Sequence, residues 1–225
     1  MIVCIEGGDG SGKSTVAEAI AAKLGYELIS FPVYDTPTGA MIKAYLRNRW
    51  MVSNQDDSWS PGRDPALSAL AFQALQLQNK MELQASIATS TRGVVLCRYW
   101  QSAWVYGQID GLDAEWLEQT HAPLIQPDVN LLLDVDAEEA MRRRAARDGA
   151  KPPERYEGNL QRTTRIAELY RALWDQAPAR ERWLVINANA PPAKVIERTL
   201  VEIVRDAEAG PRACARNGTA PGRRR

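Results

Sequence analysis

The sequence predicts a three-layer α/β domain, in which a five-stranded parallel sheet lies between helices. Short apolar runs alternate along the chain with longer helical patterns, which is the order that β-α-β units produce. Two of these runs, GVVLC at 93–97 and VNLLLDV at 129–135, are almost continuously apolar, as expected of strands buried in a parallel sheet. The chain has 225 residues, which is enough for one such domain with small insertions.

Three strands and three helices are predicted in the first half of the chain. In order, they are a strand at 1–6, a helix at 13–24, a strand at 27–31, a helix at 38–47, a polar loop at 53–64, a long helix at 65–91 and a strand at 93–97. Each strand is a short apolar run, and Pro32 ends the second because proline cannot donate to a sheet ladder. Few breakers and many Ala, Leu and Gln residues favour a single helix across 65–91.

The second half is predicted to add two strands and four helices. In order, they are a helix at 114–121, a strand at 129–135, helices at 137–147 and 158–177, a strand at 182–187 and a helix at 192–208. Pro123 ends the first of these helices, Pro127 precedes the strand, and DGAKPP separates the two middle helices. Residues 206–225 mix Gly, Pro, Ala and Arg without a period, so we expect a disordered tail after a single domain at 1–205.

The composition is that of an ordinary globular protein without a charge bias. Hydrophobic residues make up 45% of the chain and charged residues 25%, and the formal net charge is zero. Because no overall field attracts the chain to a polyanion, we expect neither nucleic acid nor a membrane surface as a partner. Cys4, Cys97 and Cys214 form no C-x-x-C pair or disulfide framework. The N-terminal pattern is not that of a signal peptide and no run is long enough for a membrane span, so the expected compartment is the cytoplasm.

A phosphate-binding motif lies between the first strand and the first helix. Residues 7–14 read GGDGSGKS, which satisfies the P-loop pattern G-x-x-x-x-G-K-S. Glycines allow the backbone to turn tightly and to direct N–H groups at phosphate oxygens, and the helix N-terminus favours an anion. Lys13 is expected to reach the β- and γ-phosphates of ATP, and the Ser14 hydroxyl to bind Mg²⁺. The predicted nucleotide-binding residues are Gly7, Gly8, Asp9, Gly10, Ser11, Gly12, Lys13, Ser14 and Thr15.

The other motifs resemble those of the thymidylate kinase family. A P-loop alone does not distinguish a kinase from a GTPase, but the N-K-x-D motif of GTPases is absent from this sequence. After EGGDGSGKST, the chain reads FPVYDTPTG at 31–39, CRYWQSAWVYGQ at 97–108, PDVNLLLDVD at 127–136 and ERYE at 154–157. These segments have the order and spacing of that family over about residues 1–205. The resemblance implies a P-loop kinase fold with an arginine-rich lid at about 142–157, and the conversion of ATP and dTMP to ADP and dTDP with Mg²⁺.

The resemblance also implies the residues that bind the small-molecule nucleotide substrate. Arg98 matches the arginine that binds the acceptor phosphate, for which its planar guanidinium is suited. Phe72 matches the aromatic residue that stacks on thymine, although a core position is an equal alternative for this side chain. The implied substrate-binding residues are Phe31, Phe72, Gln76, Arg98, Tyr99, Ser102 and Tyr106. A homodimer is implied by analogy with the family alone.

Five arginines lie in a short segment of this neutral chain: Arg142, Arg143, Arg144, Arg147 and Arg155. Phosphoryl transfer requires positive charge around the migrating group, and the P-loop positions Gly10 and Ser11 supply none. A solvated helix face would explain some of these arginines, but it does not explain their clustering. We therefore interpret the segment as a lid in which Arg147 and Arg155 are catalytic. The predicted catalytic set is Lys13, Arg98, Arg147, Arg155 and Asp9.

One departure from the family pattern concerns the catalytic centre. The family's Asp-Arg-Tyr motif reads Cys97-Arg98-Tyr99 in this chain. A thiol is mostly neutral at pH 7, so either Glu6 or Asp9 replaces the missing acid or catalysis is impaired. For Cys97 itself, we prefer the interpretation of a small buried apolar residue.

Two further departures concern the acceptor. Tyr34 stands where the family often has a phosphate-binding arginine, and Gln76 stands where an arginine reads the thymine, with Lys80 one turn further on. A glutamine can bind thymine or another base. The alternatives are therefore a kinase for other deoxynucleoside monophosphates, a deoxynucleoside kinase, or a nucleotide-binding regulator with impaired catalysis. A nucleoside kinase needs a carboxylate base, so the loss of the acid at position 97 weakens that alternative most.

Overall fold

The computed structural model of the chain describes residues 1–47, 65–149, 156, 159–178 and 181–208. Its strands are β1 (Ile2–Glu6), β2 (Glu27–Ser30), β3 (Val94–Cys97), β4 (Val129–Asp134) and β5 (Trp183–Asn187). Its helices are α1 (Lys13–Leu24), α2 (Pro37–Leu46), α3 (Pro65–Met81), α4 (Gln84–Thr89), α5 (Trp100–Ile109), α6 (Ala114–His121), α7 (Ala137–Asp148), α8 (Leu160–Asp175) and α9 (Pro192–Glu208). The polar loop predicted at 53–64 lies outside the described residues, as does the predicted tail from residue 209 onward.

The five strands form one parallel sheet in the order β2-β3-β1-β4-β5. Ile5 of β1 and Ser30 of β2 both pair with Cys97 of β3, so these three strands end at the same level. The P-loop, Phe31 and Arg98 directly follow those ends and therefore emerge at one edge of the sheet, where parallel α/β sheets bind their ligands. The predicted fold class is confirmed.

Two hydrophobic clusters cover the two faces of the sheet. Val3 and Ile5 of β1 belong to the cluster that includes Ile20 of α1, whereas Cys4 belongs to the opposite cluster with Phe72 of α3. This alternation is the period of two that a strand with both faces buried requires. Within the described residues, none of the helices is both long and apolar enough to cross a bilayer.

The helix predicted at 65–91 is wrong in one respect, because two residues separate it into α3 and α4. Neither glycine nor proline marks this break. The side-chain amide of Gln84 donates to the carbonyl of Lys80 at 2.9 Å and to the hydroxyl of Tyr99 at 2.8 Å, and its oxygen accepts from the N–H of Ile125 at 2.8 Å. Tertiary hydrogen bonds thus override local helix propensity.

Helix α5 is an element that the sequence pattern does not indicate. Its residues from Trp100 to Gly107 are all buried, so it lacks the polar face from which an amphipathic helix is recognised. The buried carboxylate of Glu6 caps its N-terminus by accepting from the N–H groups of Tyr99 at 2.6 Å and Ser102 at 3.3 Å. The bounds of the other predicted elements agree with the structure to within two residues.

Candidate active site

The P-loop has a conformation that only glycine allows at its tightest point. Gly10 has φ 87°, and a Cβ atom at this position would lie 2.3 Å from the carbonyl oxygen of Ala140 in α7. Gly12, with φ 90°, precedes α1 and provides no side-chain cap for the first N–H groups of that helix. The uncapped helix start and the glycine-rich turn before it fit an anion such as the terminal phosphates of a nucleotide.

Lys13 is the buried cation of this loop. Its ammonium donates to the carbonyl of Gly8 at 2.6 Å and to the hydroxyl of Ser11 at 3.5 Å. Burial, and next the charge of Arg98, lower the pKa of Lys13 to about 8, so the group is still mostly charged at neutral pH. Ser14 and Thr15, the next residues of α1, are exposed.

Arg98 and Asp9 form an ion pair that joins the end of β3 to the P-loop. The Arg98 guanidinium also lies over the ring of Tyr106, 5.9 Å from its centroid. Burial on its own raises the pKa of Asp9, but the charges of Arg98 and Lys13 outweigh it and lower that pKa to about 2. Burial disfavours the charged form of Arg98, yet the Asp9 carboxylate keeps the pKa of the guanidinium well above its ordinary value. Both groups are therefore ionised at neutral pH.

The carboxylate of Glu6 is fully buried and saturated with hydrogen-bond donors. Besides its two bonds to the N-terminus of α5, it accepts from the hydroxyl of Ser102 at 2.7 Å and from that of Tyr170 at 3.1 Å. These contacts hold Tyr99 and Ser102 in place at the start of α5. Glu6 is thus a structural acid, and it has no lone pair to spare for a substrate hydroxyl.

A cavity of about 200 Å³ opens beside this ion pair. It is lined by all seven side chains that the resemblance assigns to the substrate: Phe31, Phe72, Gln76, Arg98, Tyr99, Ser102 and Tyr106. Asp9 and Arg147 of the predicted catalytic set line the same cavity. The wall also includes four residues that were not predicted from the sequence to bind substrate: Tyr34, Leu46, Ala103 and Tyr156. For Tyr156, the only signal in the sequence was its place in the ERYE segment, which resembles the family.

The aromatic side chains of the cavity pack against one another, and they also form part of the cavity wall. Phe72 stacks on Tyr45 with ring centroids 4.0 Å apart and an interplanar angle of 9°, so one face of its ring is already covered. Tyr156 is tilted against Tyr106 at 4.8 Å. Burial raises the pKa of the Tyr106 hydroxyl, while the charge of the Arg98 guanidinium and its hydrogen bond with this hydroxyl act in the opposite direction. The hydroxyl therefore keeps its proton at neutral pH and can donate it to a ligand in the cavity.

The arginines of the predicted lid differ in their contacts. Arg142 and Arg143 bind the carboxylate of Glu139 at 2.7 and 2.6 Å, which directs them along helix α7. Arg147 is largely exposed and pairs with Asp148 at 2.7 Å, but it also lines the cavity, and its charge is one of those that lower the pKa of Asp9. Arg155, the second predicted catalytic arginine, lies outside the described residues.

Cys97 is a buried thiol next to the predicted metal ligand. Burial raises the pKa of Cys97, while the charges of Lys13 and Arg98 and a hydrogen bond with Ser14 act in the opposite direction. The thiol is therefore neutral at pH 7. The described residues contain no group of three or more His, Cys, Asp or Glu side chains that could bind a metal. A metal here would depend mainly on Ser14 and on the phosphates of a ligand, a mode of binding that Mg²⁺ tolerates.

The chain matches the family Thymidylate kinase over residues 5–199. The thymidylate kinase of Arabidopsis thaliana is 31% identical over 210 residues, which cover 91% of this chain and 71% of that protein. The thymidylate kinase of Rhizorhabdus wittichii is 31% identical over 209 residues, which cover 91% and 96%. The solved structure of a deoxyadenosine kinase from M. mycoides with bound dATP has a TM-score of 0.65 at 16% identity, over 91% of this chain and 100% of that one, which demonstrates a common fold alone. The chain belongs to the thymidylate kinase family.

Proposed function

We propose that this chain transfers the γ-phosphoryl group of ATP to dTMP with Mg²⁺, forming ADP and dTDP. The observation that carries the proposal is the double position of Asp9, which belongs to the P-loop and also lines the cavity with Phe72, Gln76 and Arg98. A monophosphate in the cavity therefore meets the loop that holds the terminal phosphates of the donor. Membership of the thymidylate kinase family supports dTMP as the acceptor.

The residues at the sheet edge have distinct tasks in this reaction. An oxygen of the dTMP phosphate attacks the γ-phosphorus of ATP, and the bond from that phosphorus to the β,γ-bridging oxygen breaks, leaving its electron pair on ADP. Lys13 and the loop N–H groups hold the β- and γ-phosphates. Arg98 exchanges part of its contact with Asp9 for the acceptor phosphate, and Arg147 adds positive charge where the phosphoryl group moves. Ser14 would hold Mg²⁺, which when bound would neutralise part of the charge on the donor phosphates.

The two acids of the site, Glu6 and Asp9, favour a phosphate acceptor over a nucleoside hydroxyl. A hydroxyl acceptor needs a carboxylate that takes up its proton. Glu6 is engaged by donors from Ser102, Tyr170 and the N-terminus of α5, and Asp9 is a weak base because its pKa is about 2. A phosphate monoester is already anionic at neutral pH and needs no such base. The deoxynucleoside kinase alternative therefore has no base in the described part of this site.

A coupled assay of ADP release tests the proposal with Mg²⁺–ATP and a panel of dTMP, dUMP, dCMP, dAMP and thymidine. We expect the highest kcat/KM with dTMP and no turnover of thymidine. Arg98→Lys replaces a planar fork with a point charge and should lower kcat/KM for dTMP by roughly 10²- to 10³-fold, with little change in the KM of ATP.

The matched control for this variant is Arg165→Lys, since Arg165 is an exposed residue of α8 that pairs with Glu168 at 3.3 Å. It should behave as the unaltered chain does. Faster phosphorylation of thymidine than of dTMP would contradict the proposed acceptor. Tight ATP binding without turnover of any acceptor would instead identify a nucleotide-binding regulator.

A further inference from the structure

Lys80 places its amine inside the protein, next to Phe31 and Gln76 in the wall of the acceptor cavity. Its side chain is 1% exposed, and it forms no ion pair in the part of the chain that the structure describes. Its ammonium lies 5.9 Å from the centroid of the ring of Phe31, a residue that lines the cavity. Burial of a charge without a counterion is costly, so the position calls for a physical reason.

Both hydrogen bonds of the Lys80 ammonium go to Gln76, one turn earlier on α3. It donates to the main-chain oxygen of Gln76 at 3.0 Å and to the side-chain Oε1 at 3.1 Å. An ammonium has three donors and no acceptor, so it can bind only the oxygen of the Gln76 amide. A reversed amide would set N–H groups against the ammonium in buried surroundings, where electrostatic interactions are strong. The charge of Lys80 therefore fixes the orientation of the amide.

Gln76 lines the cavity, and the side that Lys80 leaves available to a ligand is its Nε2 group, a donor. We propose that Lys80 is a positioning residue for base selection: by retaining the amide oxygen of Gln76, it presents the amide N–H to the acceptor base. A pyrimidine with a carbonyl at C4, thymine or uracil, accepts this hydrogen bond. Cytosine has an amino group at C4, which is a second donor, and is rejected. The inference rests on the proposed function, since it assumes that the cavity holds the acceptor base.

The charge state of Lys80 determines the pH at which the proposal should be tested. Burial lowers the pKa of Lys80 to about 7, and the nearby carboxylate of Glu6 opposes this shift. The other titratable groups that act on Lys80 are Cys4 of β1, whose burial raises its pKa, and His121 of α6, whose burial lowers its pKa to about 4. Both are neutral near pH 6, so the ammonium form of Lys80 prevails there and the measurements belong at about that pH.

The test compares dTMP with dCMP in kcat/KM, and in Kd by calorimetry, at about pH 6. We expect the unaltered chain to prefer dTMP by roughly 10- to 100-fold. This is the effect of one hydrogen bond that thymine forms with the Gln76 amide, compared with a buried donor that cytosine leaves unpaired. Lys80→Met keeps the length and the burial of the side chain but releases the amide, which can then turn either group to the base. The preference should fall to within about threefold, while the KM of ATP stays the same.

A double-mutant cycle distinguishes positioning from a general disturbance of the cavity. In a Gln76→Ala background, Lys80→Met should leave the ratio between dTMP and dCMP unchanged, because the group through which Lys80 acts is absent. Gln76→Glu, which leaves Lys80 in place, presents only acceptor oxygens and should invert the preference in favour of dCMP. This second variant tests the inference even if Lys80→Met does not fold.

The inference would be overturned by an unchanged ratio in Lys80→Met, or by an equal change of the ratio in the Gln76→Ala background. Retention of a dTMP preference by Gln76→Glu would also overturn it. The proposed function can fail separately. If no monophosphate is turned over but calorimetry shows the predicted preference and its loss in Lys80→Met, base selection stands and the phosphotransferase activity does not.

Discussion

Cys97 and Arg98, at the end of β3, contact different parts of the site. Arg98 has φ 64°, in the left-handed region that residues with a side chain rarely adopt. Its N–H donates to the carbonyl of Ile5 at 3.0 Å and its guanidinium pairs with Asp9, and these contacts stabilise the unfavourable conformation. The turn brings Arg98 to the cavity wall, whereas Cys97 stays buried in the strand, where it meets Ser14. A substitution at position 97 should therefore change the binding of Mg²⁺ and not the binding of the acceptor.

Cys97→Asp is expected to lower the Mg²⁺ concentration that gives half-maximal activity by roughly tenfold. The neutral thiol is a poor partner for Mg²⁺, whereas a carboxylate beside Ser14 supplies hard oxygen atoms. The charges of Lys13 and Arg98, which already act to lower the pKa of Cys97, would compensate the burial of this carboxylate. Initial rates measured across a Mg²⁺ titration at saturating ATP and dTMP provide the test.

Cys97→Asn is the matched control, because it has the shape of aspartate without the charge. It should show no gain in apparent Mg²⁺ affinity. An equal gain in both variants would mean that side-chain shape, and not charge, limits the site. An aspartate variant with the Mg²⁺ dependence of the unaltered chain would place position 97 out of reach of the metal.

At the scale of elements, helix α7 uses its arginines for two different purposes. Arg143 donates to the carbonyl oxygens of Asn189 and Ala190, both at 3.2 Å, and so ties α7 to the segment after β5. Arg147, one turn later, lines the cavity and lowers the pKa of Asp9. The carbonyl of Ala140 also lies against Gly10, so α7 packs directly on the P-loop. The helix therefore links the loop to the proposed lid.

Arg147→Ala is expected to lower kcat by about 10- to 100-fold with little change in the KM of ATP, because it removes charge needed in the transition state. Arg142→Ala removes the same charge from the same helix, at a side chain that is 70% exposed and bound to Glu139, and serves as the control. Steady-state rates for the two variants are compared at saturating dTMP. Equal losses would indicate a general electrostatic effect of α7, and an unaffected Arg147→Ala would exclude that residue from catalysis.

The elements also show what a sequence can and cannot predict in this fold. Helix α1 has the predicted bounds because left-handed glycines, Gly12 and Gly25, stand at both of its ends. Helix α5 and the break before α4 could not be predicted, because they depend on Glu6 and Gln84, whose partners are distant in the sequence. Likewise, family resemblance names the residues that the cavity brings together, but the burial of Lys80 against one of them is a tertiary property.

At the scale of the whole molecule, a neutral chain concentrates positive charge at one edge of its sheet. The formal net charge is zero, yet Lys13, Arg98 and Arg147 all lie near the partly buried carboxylate of Asp9. The P-loop, proposed to bind the donor, follows the central strand β1, and Arg98, proposed to bind the acceptor, follows its neighbour β3. Because both are fixed to the same rigid sheet, each ligand should bind to and stabilise the folded state without the other.

Thermal unfolding separates the two halves of the site. Mg²⁺–ATP and dTMP, each at about a hundred times its Kd, should raise Tm by roughly 5–10 °C. Lys13→Met should lose the Tm shift with Mg²⁺–ATP and retain the Tm shift with dTMP. Arg98→Lys should lose the shift with dTMP and retain the shift with Mg²⁺–ATP. Loss of both shifts in one variant would indicate a damaged fold, and retention of the ATP shift in Lys13→Met would contradict the role of the P-loop.

In the absence of ligands, the Tm of Lys13→Met should depend on pH differently from that of the unaltered chain. Because burial lowers the pKa of Lys13 from 10.5 to about 8, the unfolded chain binds more protons at this residue than the folded protein does between these two values. The contribution of Lys13 to stability is therefore unfavourable below about pH 8 and is relieved as the pH rises toward 10.5. Lys13→Met lacks this relief, so its Tm should exceed that of the unaltered chain at pH 7, with a difference that narrows toward pH 10. A difference that stays constant across this range would show that the Lys13 ammonium pays no desolvation cost in the folded loop.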